Sequence, residues 1–294
     1  MRDFAFPVQR LLVLRQQPGF ADVDLAELAT MAENLVEARF RAGDQVATPS
    51  SRVPALHLIV EGRLESAHET WGPRQAFGVL EVFAGRSVTA PVTATVDTRT
   101  LQLGAADLAE IMEDNFGLLS NTRRGIARHL LAKRAGQPTW LRPAQAPRLV
   151  SRAGHVDLVE RLILLRQQLP SGRMQALAAL AQAATEVRWE AGDTIRSAGD
   201  LADGALIILD GTIRGLRGAR EHVLAPNDMI GMLETLAERD HATTSIAATA
   251  VHALRIPAIA MVDVMEDHPD LALGLIAQLA GEVLDHVPEP ELVN

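Results

Sequence analysis

The sequence predicts a mainly β fold with flanking helices, built twice over. Three observations predict it. Short apolar runs alternate with turn residues in each half of the chain. The halves repeat one another in order, at an offset that stays between 149 and 154 residues. Each half opens on a helical stripe and closes on another.

The repeat rests on four matches. Leu14-Arg15-Gln16-Gln17 returns as Leu165-Arg166-Gln167-Gln168. Phe40-Arg41-Ala42-Gly43-Asp44 matches Trp189-Glu190-Ala191-Gly192-Asp193. Val60-Glu61-Gly62-Arg63-Leu64 matches Leu209-Asp210-Gly211-Thr212-Ile213, and Met112-Glu113-Asp114 matches Met265-Glu266-Asp267. The helical stripes are Leu25, Leu28, Ala29, Ala32 and Leu177, Leu180, Ala181, Ala184, with Asp24 placed to cap the first and Arg173 preceding the second. Strands are expected over 37–40, 45–46, 56–60 and 63–66, and over 186–189, 194–195, 205–209 and 212–216. Gly43-Asp44, Gly192-Asp193, Glu61-Gly62 and Asp210-Gly211 mark the turns between them. Many short strands with regular turns indicate an antiparallel sandwich or barrel. The expected domains are 1–135 and 155–294, joined by a Pro-rich basic linker over 136–154 in which Pro138, Pro143 and Pro147 disfavour helix.

Residues 77–96, FGVLEVFAGRSVTAPVTATV, and 230–250, IGMLETLAERDHATTSIAATA, share one layout. A strand ends at Phe77 or Ile230, a glycine turns, a few helical residues follow, and a loop leads into a new strand. This layout resembles the phosphate-binding cassette of tandem cyclic nucleotide-binding domains, whose pattern runs Phe-Gly-Glu-Leu-Ala-Leu, a loop, then Pro-Arg-Ala-Ala-Thr-Val. The resemblance implies two jelly-roll-like β-rolls flanked by helices. It also implies a Glu for the ribose hydroxyl and an Arg for the cyclic phosphate. Val79 and Met232 stand at the Glu position, and Val92 and Ile246 at the Arg position. The cassettes therefore read as degenerate at Phe77, Gly78, Val79, Leu80, Val92, Thr93 and at Ile230, Gly231, Met232, Leu233, Ile246, Ala247. Arg86 and Arg239, one in each cassette loop, are the cations placed to substitute, against a plainer reading as exposed loop charge. No cofactor is expected, and cyclic nucleotide is disfavoured because an apolar side chain offers the phosphate no charge-assisted bond.

Composition narrows the rest. The chain has 294 residues and no cysteine, which excludes disulfides, zinc-thiolate sites and thiol nucleophiles. There is no Walker loop, HExxH or GxSxG, so no enzyme is expected. His57 alternates with apolar residues and reads as a core or rim histidine; Asp240 and His241 read as solvated loop charge. No run approaches the ~20 apolar residues of a membrane span, and a cytoplasmic bacterial protein is expected.

Charge is uneven. Residues 1–150 carry 17 basic and 16 acidic side chains, whereas 151–294 carry 11 and 21. Arg123, Arg124, Arg128, Lys133 and Arg134 lie within 120–152, which has eight basic residues and no acidic one. They form a candidate interaction face, expected either to dock on the acidic C-terminal region or to meet another molecule. Leu275, Leu279 and Val283 belong to an apolar stripe at i, i+4 and i+8 that suits either the core or a homodimer seam. The expected function is a non-enzymatic regulatory or scaffolding protein with protein partners, no nucleic acid and no membrane. A cyclic-nucleotide sensor with altered pockets and a DNA-associated regulator are the alternatives; no helix-turn-helix follows the second repeat.

Overall fold

The computed structural model describes residues 7–16, 20, 23–134 and 155–285. The whole linker 136–154 and the residues after 285 lie outside that description. The first repeat runs α1 (Pro7–Arg15), α2 (Leu25–Asn34), β1 (Val36–Phe40), β2 (Gln45–Ala47), β3 (Ala55–Glu61), β4 (Leu64–Glu65), β5 (Thr70–Trp71), β6 (Ala76–Phe77), α3 (Val79–Ala84), β7 (Val92–Ala94), β8 (Thr98–Gly104), α4 (Ala105–Asp114) and α5 (Phe116–Lys133). The second runs α6 (Leu158–Gln168), α7 (Met174–Ala183), β9 (Thr185–Trp189), β10 (Thr194–Arg196), β11 (Gly204–Asp210), β12 (Ile213–Arg217), β13 (Arg220–Leu224), β14 (Met229–Ile230), α8 (Met232–Ala237), β15 (Thr244–Ala247), β16 (Val251–Pro257), α9 (Ala258–Asp267) and α10 (Pro269–Asp285).

The strands form four sheets, ordered β1-β8-β3-β6, β2-β7-β4-β5, β9-β16-β11-β14 and β10-β15-β12-β13. Within each repeat the first strand pairs the last, the second pairs the seventh, the third the sixth, and the fourth the fifth. That nesting is a jelly-roll winding, and both repeats share it. All the named pairings are antiparallel.

The turns form where the glycines predict them. Gly62 and Gly211 adopt φ of 89° and 84°, a region that costs any residue with a Cβ. Helix ends follow side-chain chemistry: Asp24 accepts from the Ala26 amide at 2.8 Å, as expected. Arg173 makes no side-chain cap. At α6, Asp157 and Glu160 form a reciprocal capping box.

The chain divides into two compact units. One comprises Met1–Thr122 with Ile276–Asn294, the other Arg123–Leu275. The first roll's core is Val53, Ile59, Leu64, Phe77, Val88, Val92 and Ala94, with Ala47 and Val82 packed on it. The second is built on Leu206, Ile208, Ile213, Leu224, Ile230, Ala247, Val251 and Ala253. Leu275, Leu279 and Val283 are all buried within the single chain. The stripe on α10 is therefore core, and the homodimer seam expected of it has no exposed residues here.

Candidate functional site

Each cassette begins where a two-residue strand meets a glycine. Gly78 and Gly231 are the N-caps of α3 and α8, with φ of 86° and 80°. Each short helix stops on a left-handed residue, Gly85 in one repeat and Glu238 in the other. The predicted layout is thus present twice. Its filling differs. All six α8 residues are buried, whereas no α3 residue is. Phe77 and Val92 are buried in the first roll, while Val79, Leu80 and Thr93 are half-buried. In the second, Met232, Leu233 and Ala247 are buried.

Pairing corrects one assignment. Ala47 lies opposite Val92 and Gln45 opposite Thr93, while Arg196 lies opposite Ser245 and Thr194 opposite Ile246. The counterpart of Val92 is therefore Ser245, not Ile246. Ser245 is buried and Ile246 half-buried, so Ser245 faces inward. A one-residue slip in a strand exchanges its faces, so the two assignments put opposite faces of β15 inward.

Two further expectations are overturned. His241 is not solvated loop charge; it is 5% exposed. Burial and the neighbouring Arg196 hold its pKa down at about 4. Arg123 is not an open basic face; it is 2% exposed. It reaches Glu238 at 3.3 Å, Arg124 reaches the same carboxylate at 2.8 Å, and Arg128 Nε donates to the Ala237 carbonyl at 2.9 Å. These cations converge on the C-terminal end of α8, where the free carbonyls favour positive charge. The Glu238 carboxylate that Arg123 and Arg124 reach belongs to the second cassette. Lys133 stays exposed, and the Arg134 carbonyl accepts from Arg217 at 3.2 Å.

The first cassette meets α10 in a corresponding way. Arg86 and Asp285 form a two-pronged ion pair, one prong at 2.9 Å. The hydrogen bond and charge hold the Asp285 carboxyl below its usual range and raise the Arg86 guanidinium. Arg86 is thus committed to a carboxylate, while Arg239 is exposed. Both groups of the Arg86 pair are solvent-exposed, so Asp285→Asn is expected to cost no more than about 1 kcal/mol by denaturant unfolding.

Sequence reasoning missed Arg196. It sits on β10 beside the cassette, and a Cβ built on Gly231 would lie 2.0 Å from its Nη1. With Leu224, Ile230, Glu234, His241, Thr243 and Ser245 it lines a cavity of about 20 Å³ inside a wider void of about 280 Å³ that includes open solvent. Burial lowers the Arg196 pKa to about 10, which leaves it charged at neutral pH. Nothing in Thr194-Ile195-Arg196 marks this arginine out, because a strand arginine ordinarily faces water.

His57 is a core histidine, as read. It is 4% exposed, lies 5.9 Å from the Phe40 ring and 5.5 Å from Phe77, and has its pKa lowered by burial to about 4. Both His57 and His241 are neutral when folded and protonate below about pH 6.5 when unfolded. The unfolded state then binds more protons, so stability is expected to fall as pH drops from about 6.5 toward 4. Unfolding titrations across that window should show the loss, reduced in His57→Phe.

Among the described residues, no group of three or more His, Asp or Glu is placed to hold a metal, and no helix is long and apolar enough to cross a membrane.

Residues 186–268 match the family model for the cyclic nucleotide-binding domain. This segment belongs to that family. The first repeat winds its strands in the order of this cyclic nucleotide-binding domain, and the chain is a tandem of such folds. No curated protein matches the chain. Solved structures are similar to it at low identity. The regulatory domain of Toxoplasma gondii PKA with cAMP is 18% identical, covering 96% of this chain and 99% of that one, with a TM-score of 0.37. The regulatory subunit of a cAMP-independent protein kinase A from Trypanosoma brucei is 16% identical, covering 91% and 89%, with a TM-score of 0.38. The sensor domain of the Pseudomonas aeruginosa transcriptional regulator DNR is 18% identical, covering 41% and 91%, with a TM-score of 0.37.

Proposed function

We propose that this chain is a non-enzymatic cytoplasmic regulatory module whose cyclic nucleotide-binding-like domains do not take cAMP or cGMP in the usual way. It acts through protein contacts. The observation that carries the reading is the pair of inward strand positions Val92 and Ser245, where the family pattern calls for a phosphate-pairing arginine. Val92 is part of the first roll's core, and a hydrophobic residue there leaves the phosphate no cation. Val79 and Met232 likewise replace the carboxylate for the ribose. The cassettes spend their charged groups internally, Arg86 on Asp285 and Glu238 on Arg123 and Arg124.

A ligand at ~100 times its dissociation constant stabilises the native state by about 2.7 kcal/mol, a shift of several degrees in melting temperature. Sub-millimolar cAMP or cGMP is expected to leave the melting curve unmoved. A saturable upward shift with either nucleotide would sink the reading. Arg86→Ala and Arg239→Ala would then show whether a loop arginine had taken the phosphate.

A further inference from the structure

The two repeats act as controls for one another. In the second, the Ala258 amide at the head of α9 donates to the Asp203 carbonyl at 2.9 Å; in the first, the Ala105 amide donates to the Pro54 carbonyl at 3.0 Å. That shared bond fixes the equivalences around it: Leu201 with Arg52, Asp200 with Ser51, and Ile259 with Ala106. Leu201 stands two residues before the bond and Ile259 one residue after it. They are 73% and 68% exposed. The first repeat builds the same corner with no large apolar side chain at either position, so the winding does not require them.

A single exposed leucine is ordinary. This one is held out on a pinned backbone. Leu201 bridges to Asp240 of the cassette loop, the Gly199 amide donates to the His241 carbonyl at 2.9 Å, and the His241 amide donates to the Asp200 carbonyl at 2.8 Å. A pinned backbone cannot swing the side chain onto the core, so its apolar surface stays in water until something covers it. The rim is acidic. Asp200, Asp203 and Asp240 stand where the first repeat has Ser51, Pro54 and Ser87, and Asp263 lies one turn along α9 from Ile259. All four are exposed. Arg255 holds Asp203 at 2.6 Å and Arg239 adjoins Asp240, so four carboxylates share the corner with two guanidiniums. Two apolar side chains fall well short of the about 800 Å² per partner of a stable dimer, which favours a short segment over a second copy.

We propose that this corner docks a short protein segment carrying one or two large apolar side chains flanked by lysine or arginine. Leu201 and Ile259 receive the apolar side chains, and Asp200, Asp240 and Asp263 receive the cations. The inference rests on the protein-contact half of the proposed function, and gives that contact a face and a partner chemistry.

Selection of a random peptide library on the immobilised full chain tests it, with counter-selection on the double variant Leu201→Arg, Ile259→Ala, which copies the first repeat. Both positions are exposed, so the double variant is expected to melt with the parent. The enriched peptides are expected to combine large apolar residues with Lys or Arg. By fluorescence polarisation, a labelled synthetic copy of one should bind the parent at least tenfold more tightly than the double variant and severalfold more tightly than Asp240→Asn. If the double variant melts lower, Ile259→Ala alone keeps the comparison, with a severalfold loss expected. Affinity should also fall severalfold from low salt to physiological strength. No enrichment over the double variant overturns the proposal, as does an enriched set without basic residues or equal binding by the variants. A sedimenting mass that doubles in the parent and returns to one chain in the double variant also overturns it, because the face would then belong to a second copy. Each of those outcomes leaves the proposed function standing, which fails separately on a melting shift with cAMP or cGMP.

Discussion

Gly211→Val is expected to destabilise the second roll by about 3–5 kcal/mol, among the largest effects a single substitution produces. Two costs combine. Gly211 sits at φ 84°, where a β-branched residue is strained by roughly 1–3 kcal/mol. A Cβ there would also lie 2.1 Å from the Ala250 carbonyl oxygen, and backbone cannot step aside as a flexible side chain can. The turn joins β11 to β12, and thereby one sheet of the roll to the other. Gly192→Ala separates the two costs. Its φ is 96°, yet nothing lies within 4 Å of the added Cβ, so only the backbone penalty of about 1–2 kcal/mol remains. Thermal unfolding followed by far-ultraviolet circular dichroism should place the Val variant about 10 °C below the parent and the Ala variant a few degrees below. Equal melting for both would show that the Gly211 turn can relax, and that its glycine answers to φ alone.

Those glycines explain why the fold was legible. A positive φ is a demand on one residue, made locally, and Gly43, Gly62 and Gly78 repeat as Gly192, Gly211 and Gly231. The longer strands of each roll followed from the turns and the repeat, whereas short ones such as β5 (Thr70–Trp71) and β13 (Arg220–Leu224) were not expected. The capping box at Asp157 and Glu160 carried a visible signal too, an acid three residues before another at the head of an apolar run, which passed unread. The site was less legible because its residues are defined across strands. Which of Ser245 and Ile246 faces inward depends on a register set by pairing with β10, and that pairing contains a bulge. Arg196 and His241 look like ordinary surface polar residues in the sequence; their burial comes from elements distant along the chain. The sequence reading sought acid for the basic run on α5 in the C-terminal region, whereas Arg123 and Arg124 both reach Glu238, at the end of α8 and distant from them along the chain. Charge composition points to the region of greatest acidity, whereas an ion pair needs one carboxylate in the right place.

Leu279→Glu should lower stability by more than about 3 kcal/mol and leave the sedimenting mass unchanged. Leu279 is 1% exposed, and Ala280 and Val283 beside it on α10 are fully buried. A carboxylate at that position either loses its charge or leaves water unpaired, and both states are costly. Leu279→Ala isolates the packing share, for which loss of a buried leucine costs about 2–5 kcal/mol depending on how far the surroundings collapse. The dimer reading of the same stripe predicts otherwise. There the glutamate would reduce the mass at micromolar concentration, and the stability of the monomer would change little, because the residue would face water once the partner left. The burial of Leu275, Leu279 and Val283 inside one chain favours the first outcome. Equilibrium sedimentation and urea unfolding of the same two variants decide it, since the core reading requires the mass to hold while the midpoint falls.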